Sequence, residues 1–177
     1  MRIEQVVSEL CRGNSSFRDK IEYLSQATGG WERWFQLELA YYIRQNFSSN
    51  YDIRLENNAV YPDEPYRADL TLTNRATHRM QTIVELKCQV TGTSAAAFAR
   101  LIEQDIQKAL SAARDWDYEV IAITQGPGDM QYILNELSPR YPGQISGREF
   151  INLRSPGAFI HFFQGATSFG EAEDCTQ

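Results

Sequence analysis

Two extended segments joined by a short polar turn constrain the fold of this chain more than any other feature. Residues 67–74 read RADLTLTN and residues 79–89 read RMQTIVELKCQ, and both have the composition of strands. Side chains alternate between the two faces of a strand, so Glu85 and Lys87 share the face of Ile83. Ile83 and the long helix predicted after this strand indicate that the face is covered. A covered carboxylate and ammonium group require a physical explanation.

The pairing of these two segments brings a second carboxylate to the same place. If they form a hairpin, Asp69 falls opposite Glu85 to within about one position. Like charges that face each other in a sheet are unfavourable. The pairing therefore favours a cation between the two carboxylates.

A helix predicted over WERWFQLELAYYIRQNF, residues 31–47, supplies a further carboxylate by an independent argument. At about 100° per residue its aromatic side chains form a broad apolar face, and Glu38 falls within that face. Glu32 lies at the edge of the same face and stays open as the alternative. An ionised group in an apolar face is costly unless it is paired or bound to a metal. Oxygen ligands of this kind suit Mg²⁺ or Mn²⁺ better than Zn²⁺.

The order of the remaining segments predicts one domain over residues 1–177. A helix, three strands, a helix and a strand follow one another in the core, an order typical of an α/β fold with a mixed sheet between helices. The expected parts are an N-terminal helical extension (1–28), the core (31–125), a C-terminal helix and hairpin (126–164) and a flexible tail (165–177). The hairpin is expected from REFINL and AFIHFF, with a turn at residues 154–157.

Composition limits the possible environments and partners. The chain has 177 residues, 42% of them hydrophobic, and no apolar run of about 18 residues, so we expect no membrane span and a cytoplasmic protein. The three cysteines, Cys11, Cys88 and Cys175, lack metal-binding spacing and are expected to be reduced thiols. The net charge of −6 weakens nonspecific attraction to nucleic acid, which then needs a local basic patch or a bridging metal.

The two strands together resemble the signature of the PD-(D/E)xK nuclease superfamily. That signature is an Asp at the start of the second core strand and (Asp/Glu)-x-Lys on the third. Asp69 matches the Asp, although Ala68 stands where the family's loosely kept Pro would be, and the triplet Glu85-Leu86-Lys87 matches E-x-K. Gln89 resembles the polar residue that some members carry two positions after the Lys.

The preceding helix extends the resemblance, which covers roughly residues 31–125. GGWERWFQLELA looks like the first core helix of the family, in which a Glu often completes the metal site. Glu38 is the matched residue and Glu32 the alternative. On the later helix, Gln104, Asp105 and Lys108 could line a phosphate groove, but a solvated helix surface is the favoured interpretation.

The resemblance implies a restriction-endonuclease-like three-layer fold and metal-assisted hydrolysis of phosphodiester bonds. The implied site residues are Asp69, Glu85, Lys87, Glu38 and Gln89, and the implied ligands of Mg²⁺ or Mn²⁺ are Asp69, Glu85, Glu38 and the backbone carbonyl of Leu86. Lys87 is expected to orient a water molecule and to neutralise charge that develops on the phosphate. DNA is the expected substrate, with RNA left open, and cutting of both strands would call for a homodimer.

A rival interpretation keeps the nuclease-like fold but not the catalytic activity. The chain could be an inactive nuclease-like protein that binds another protein, as an inhibitor or immunity partner of a toxin. The acidic net charge favours this rival, whereas the complete set of Asp69, Glu85 and Lys87 favours the enzyme.

Overall fold

The computed structural model describes residues 3–13, 15–26, 29, 31–61, 65–112, 116–142, 151–152 and 159–166. Five helices and six strands lie in these ranges. The helices are α1 (Ile3–Gly13), α2 (Ser15–Ser25), α3 (Trp31–Phe47), α4 (Ala95–Leu110) and α5 (Pro127–Leu137). The strands are β1 (Tyr51–Asn57), β2 (Ala68–Asn74), β3 (Met80–Cys88), β4 (Asp117–Thr124), β5 (Ile151–Asn152) and β6 (Phe159–Ala166).

The strands form one mixed sheet in the order β1-β2-β3-β4-β6-β5. β3 and β4 are parallel, and the other neighbours are antiparallel. A parallel pair needs a long crossover, which α4 provides. The antiparallel pair β2 and β3 needs only a turn, where the Asn74 side chain accepts hydrogen bonds from the backbone N–H groups of Ala76 and Thr77.

Two apolar layers cover the two faces of this sheet. The first layer joins α1, α2 and α3 to the sheet through residues such as Phe35, Leu39, Leu70, Val84, Leu86 and Ile121. The second joins α4 and α5 to the opposite face through residues such as Phe98, Ile102, Ile133, Ile83, Tyr118 and Val120. The alternation predicted for β3 is therefore present, with Leu86 facing the first layer and Ile83 facing α4.

The predicted α/β class and the element order are confirmed, and the differences lie at element ends. The segment YDIRLENNAVY, residues 51–61, predicts one strand, but β1 ends at Asn57. Glu56 adopts a left-handed backbone (φ 49°), and the Asn57 side chain accepts a hydrogen bond from the N–H of Ala59. The segment SAAAFARLIEQDIQKALSAARDW, residues 94–116, predicts one helix capped by Thr93 or Ser94, but α4 ends at Leu110. Of the two predicted caps Ser94 is the observed one, since its Oγ accepts a hydrogen bond from the N–H of Ala97.

The C-terminal expectations fall partly within the described residues. β6 continues to Ala166, so the chain leaves the sheet later than the tail predicted from residue 165. The predicted turn at 154–157 and residues 167–177 of the tail lie outside the described residues. Within the described ranges, no helix is both long enough and apolar enough to cross a membrane.

Candidate functional site

The site lies where β2 begins and β3 ends, at the point where the two strands stop pairing through their backbones. The regular pairing ends at Leu70 and Val84. One position further, the Asp69 side chain provides the hydrogen-bond acceptor: its Oδ2 accepts a hydrogen bond of 2.7 Å from the backbone N–H of Leu86. This carboxylate thus occupies the place of a backbone acceptor and is fixed beside Glu85.

Glu85 is the most deeply buried acid of the site, with 1% of its surface exposed. Its two carboxylate oxygens have different partners. Oε1 accepts a hydrogen bond of 2.9 Å from the hydroxyl of Tyr61, and Oε2 lies 2.7 Å from Lys108 Nζ. The Lys108 ammonium also lies 5.7 Å from the centre of the Tyr61 ring, within the range of a cation–π contact.

Lys87 lies between two further carboxylates. Its Nζ is 3.1 Å from Asp105 Oδ2 on α4 and 3.7 Å from Glu32 Oε1 in the first turn of α3. The other Glu32 oxygen accepts a hydrogen bond of 3.1 Å from the backbone N–H of Cys88. Glu32 therefore connects the start of α3 to the end of β3 and to the ammonium of Lys87.

We refer to these six side chains as the acid cluster, and they carry unequal charge. The cluster consists of Asp69, Glu85, Glu32, Asp105, Lys87 and Lys108. Four carboxylates against two ammonium groups leave two negative charges in excess when all are ionised. Excess negative charge in a largely buried place is costly, so it is relieved by protons or by a bound cation.

Burial raises the pKa of every carboxyl group in the acid cluster. The pKa of Glu85 rises to about 8, because desolvation outweighs the neighbouring Lys108. The pKa values of Asp69, Asp105 and Glu32 are also raised, in each case by burial first. Burial lowers the pKa of Lys87, but the Asp105 and Glu32 carboxylates more than compensate and raise it above its usual value. The cluster therefore favours protons bound to its carboxyl groups and a charged Lys87.

Gln36 fixes α3 against the start of β2. This buried side chain donates a hydrogen bond of 2.6 Å to the backbone carbonyl of Asp69 and one of 3.1 Å to Glu56 Oε1. Arg33 in turn donates to the Gln36 side chain and, over 2.6 Å, to Glu56. These contacts tie the backbone of Asp69 to α3.

The structure does not bring Glu38 to the acid cluster. Glu38 Oε1 is 3.3 Å from Lys20 Nζ on α2, and both side chains are partly exposed. The partner that satisfies its charge is thus a surface lysine. Glu32, the alternative, is the α3 carboxylate that contacts the cluster, and it does so from the layer opposite to α4. Glu32 and Asp105 therefore reach Lys87 from helices on opposite faces of the sheet.

Gln89 is buried directly after the end of β3, but its side-chain partners lie outside the acid cluster. Its Nε2 donates hydrogen bonds of 2.8 Å to the Thr93 carbonyl and 2.7 Å to Asp129 Oδ2. Its Oε1 accepts a hydrogen bond of 2.9 Å from the N–H of Gln125. Gln89 therefore links the segment before α4 to the end of β4 and to α5.

α4 contributes more to the site than its sequence predicts. Asp105 is 9% exposed and Lys108 is also largely buried, so the solvated surface favoured for them is wrong, whereas Gln104 is exposed. A signal for Asp105 existed, because it falls three positions after Ile102 on the buried face of the helix. Tyr61 follows β1 in an irregular segment, where no periodicity indicates its partner.

The donor set of the acid cluster fits a divalent cation of the Mg²⁺ type. Its carboxylates supply hard oxygen ligands, and its two excess negative charges match the charge of such an ion. In the arrangement seen here, the described residues contain no group of three or more His, Cys, Asp or Glu side chains placed to hold a metal ion. Lysine ammonium groups contact Glu85, Asp105 and Glu32 instead.

Comparisons with known proteins add no further constraint. The sequence matches no protein-family model and no curated protein, and the structure matches no solved structure.

Proposed function

We propose that this chain is a metal-dependent nuclease of the PD-(D/E)xK type, built on a restriction-endonuclease-like fold. The observation that supports the proposal is the convergence of Asp69, Glu85 and Lys87 at the point where β2 and β3 separate. Glu32 and Asp105 add two carboxylates to the same place. A protein gains no stability from gathering buried acids in this way, and such clusters are typical of functional sites.

Each residue of the acid cluster has a role in this proposal. Asp69, Glu85 and the Leu86 carbonyl would hold Mg²⁺ or Mn²⁺, which supplies Lewis-acid activation of the phosphodiester and of a water molecule. Lys87 donates to the attacking water and to the phosphate oxygens as their charge grows. An ammonium group has three N–H donors. Asp105 Oδ2 lies 3.1 Å from Lys87 Nζ, whereas Glu32 Oε1, at 3.7 Å, is an ion-pair partner beyond hydrogen-bond distance. The other donors of Lys87 are then available to the water and the phosphate.

Cleavage assays on the purified protein test this proposal. Supercoiled DNA, circular single-stranded DNA and RNA should be incubated with Mg²⁺, with Mn²⁺ and with EDTA. We expect metal-dependent cleavage of at least one of them, which Asp69→Asn and Lys87→Met abolish. Asp52→Asn is the matched control, because Asp52 pairs with Arg75 at the exposed surface. If no substrate is cut with either metal, the nuclease proposal fails.

A second candidate function is that of an inactive, protein-binding scaffold. One observation favours it: both oxygens of Glu85 already have side-chain partners, Tyr61 and Lys108. The intended partner would be a toxin with a basic surface, attracted by the acidic net charge. Calorimetry separates the two functions. Heat of Mn²⁺ binding that disappears in Asp69→Asn supports the nuclease, whereas no metal heat together with a tight protein complex supports the scaffold.

A further inference from the structure

A groove runs along α4 beside the acid cluster. It has a volume of about 500 Å³ and is lined by Tyr66, Gln104, Asp105, Gln107, Lys108 and Ser111. Asp105 and Lys108 belong to the acid cluster as well. The groove therefore opens directly onto the proposed reaction site.

Five of the six residues that line the groove belong to α4 or its C-cap; three of them form a stripe without acidic side chains, and Asp105 lies beside this stripe. Gln104, Lys108 and Ser111 follow one another at intervals of four and three positions and so lie on one side of the helix, over about 10 Å of its length. The amide and hydroxyl groups of this stripe are neutral donors and acceptors. Lys108 Nζ pairs with Glu85 and lies over the Tyr61 ring, and the N–H donors that Glu85 does not engage are available to an anion in the groove.

Tyr66 is the aromatic residue among those that line the groove. It is 44% exposed, which is unusual for a ring beside a buried polar site. Its ring packs on Tyr61 with the centroids 6.0 Å apart and the planes at 89°. Tyr61 in turn donates its hydroxyl to Glu85, so the exposed ring has a fixed position relative to the acid cluster.

We propose that this groove binds a nucleotide of a single-stranded nucleic acid, with Tyr66 stacking on the base and Lys108 binding the adjacent phosphate. The inference rests on the proposed nuclease function and specifies its substrate class. Base stacking on an aromatic side chain combined with a cation at the backbone is the usual mode of binding to single strands.

Two features favour a single strand over a duplex. A base within a duplex is stacked on its neighbours, so its face is not accessible to a side chain such as Tyr66. The chain also carries a net charge of −6, which opposes the dense negative charge of a duplex. A single strand needs fewer cations, and the groove provides Lys108.

Binding without cleavage tests the groove separately from the chemistry. A short fluorescent DNA strand would be titrated by anisotropy in EDTA at pH 6, as a single strand, as a duplex, and with one base removed. We expect Tyr66→Ala to weaken single-strand binding by about 5- to 100-fold, the effect of losing one stacked base. Tyr66→Ala should reduce the affinity for the strand that lacks the base less than it reduces the affinity for the intact strand.

Lys108→Met tests the phosphate contact through its salt dependence. Affinity decreases with salt concentration, so the slope of log affinity against log salt concentration is negative. Lys108→Met should make this slope shallower by about 0.7, the value for one phosphate contact with a single strand. A merely structural role would not change this slope. Tyr23→Ala and Lys20→Met are matched controls on α2, where Tyr23 is exposed, and both should bind like the wild type.

The possible outcomes distinguish the groove from the nuclease proposal. The groove proposal is overturned if single strands do not bind, if a duplex binds equally well, or if Tyr66→Ala behaves like Tyr23→Ala. If cleavage persists in those cases, the nuclease proposal still holds. Conversely, strand binding that depends on Tyr66 and Lys108 without any cleavage supports the groove and contradicts the nuclease.

Discussion

Asp69 Oδ2 accepts a hydrogen bond of 2.7 Å from the backbone N–H of Leu86, where the regular ladder between their strands has ended. The carboxylate that the nuclease proposal needs is thus also the acceptor for a backbone donor of β3. A substitution at Asp69 therefore changes the structure and the chemistry together, unless the new side chain keeps an acceptor oxygen.

Replacing Asp69 by alanine should destabilise the protein, whereas asparagine should be tolerated. Alanine leaves the N–H of Leu86 without an acceptor, which costs about 1–3 kcal/mol of unfolding free energy. Asparagine retains an oxygen at this place and should stay within about 1 kcal/mol of the wild type. Urea unfolding followed by circular dichroism measures both. Equal stability of the two variants would show that this hydrogen bond contributes nothing.

The metal-free protein should lose stability as the pH rises, because of Glu85. Its pKa is raised to about 8 in the folded protein from 4.5, so between these values the folded state holds a proton that the unfolded state has lost. The stabilisation is complete below pH 4.5 and disappears as the pH rises through about 8. Its upper limit is about 5 kcal/mol, at about 1.4 kcal/mol for each pKa unit.

Urea unfolding of the wild type and Glu85→Gln from pH 5 to 9 in EDTA measures this contribution. Glutamine cannot ionise, so its unfolding free energy should fall less steeply with pH than that of the wild type. Glu38→Gln is a control, because Glu38 pairs with Lys20 at the surface, and it should keep the wild-type dependence. Parallel curves for the wild type and Glu85→Gln would contradict a raised pKa of Glu85.

Lys108→Met should destabilise the protein mainly at high pH. Above the pKa of Glu85, removing the ammonium group leaves a buried carboxylate without its cation, at a cost of about 3–5 kcal/mol. At pH 5.5 Glu85 carries a proton, and the loss should be smaller. A double-mutant cycle of Lys108→Met with Glu85→Gln, carried out at pH 5.5 and again above the Glu85 pKa of about 8, measures the coupling energy between the two side chains. A coupling energy that does not grow with pH would contradict this prediction.

The sequence was sufficient to predict the position of a site residue where strand alternation determines which way its side chain faces. The observed pair Leu70 and Val84 sets a register in which the next pair is Asp69 and Glu85, as the turn position predicted. Period-two alternation also placed Lys87 on the face covered by α4. These features follow from neighbours in the chain and need no knowledge of tertiary packing.

The sequence was insufficient where the position depends on which helix packs nearby. The period of α3 placed Glu38 within a broad apolar face, but Lys20 of α2 reaches it, and the position of α2 cannot be deduced from that period. Glu32 contacts the acid cluster because the first turn of α3 meets the end of β3. Tyr61 owes its contact with Glu85 to an irregular segment, which carries no periodic signal.

Gln89→Ala should reduce stability without removing catalytic activity from the folded protein. Its amide group makes three hydrogen bonds, to Thr93, Asp129 and the N–H of Gln125, and the loss of such buried bonds costs at least about 1–3 kcal/mol. The variant should unfold at lower urea concentration but keep its rate of DNA cleavage at low temperature. Loss of cleavage in a fully folded Gln89→Ala protein would assign Gln89 a role in the reaction.

Glu32→Gln and Glu38→Gln provide a matched pair on one helix that tests which carboxylate serves the site. Glu32 lies 3.7 Å from Lys87 Nζ and accepts from the N–H of Cys88, whereas Glu38 contacts Lys20. Groups that orient a reacting side chain typically contribute about 10- to 100-fold, so Glu32→Gln should slow cleavage by this factor. Glu38→Gln loses only a surface ion pair, worth at most about 1 kcal/mol of stability, and should cut at the wild-type rate.

The same pair of variants also shows how Glu32 acts. If it serves by holding Lys87, the slower cleavage should appear in kcat rather than in KM, because an interaction that matters in the transition state has been weakened. Single-turnover rates at saturating protein, with urea unfolding to verify that both variants are folded, measure this difference. Slow cleavage by Glu38→Gln together with normal cleavage by Glu32→Gln would mean that α3 changes its position when substrate binds, and that the contact between Glu32 and Lys87 has no part in the reaction.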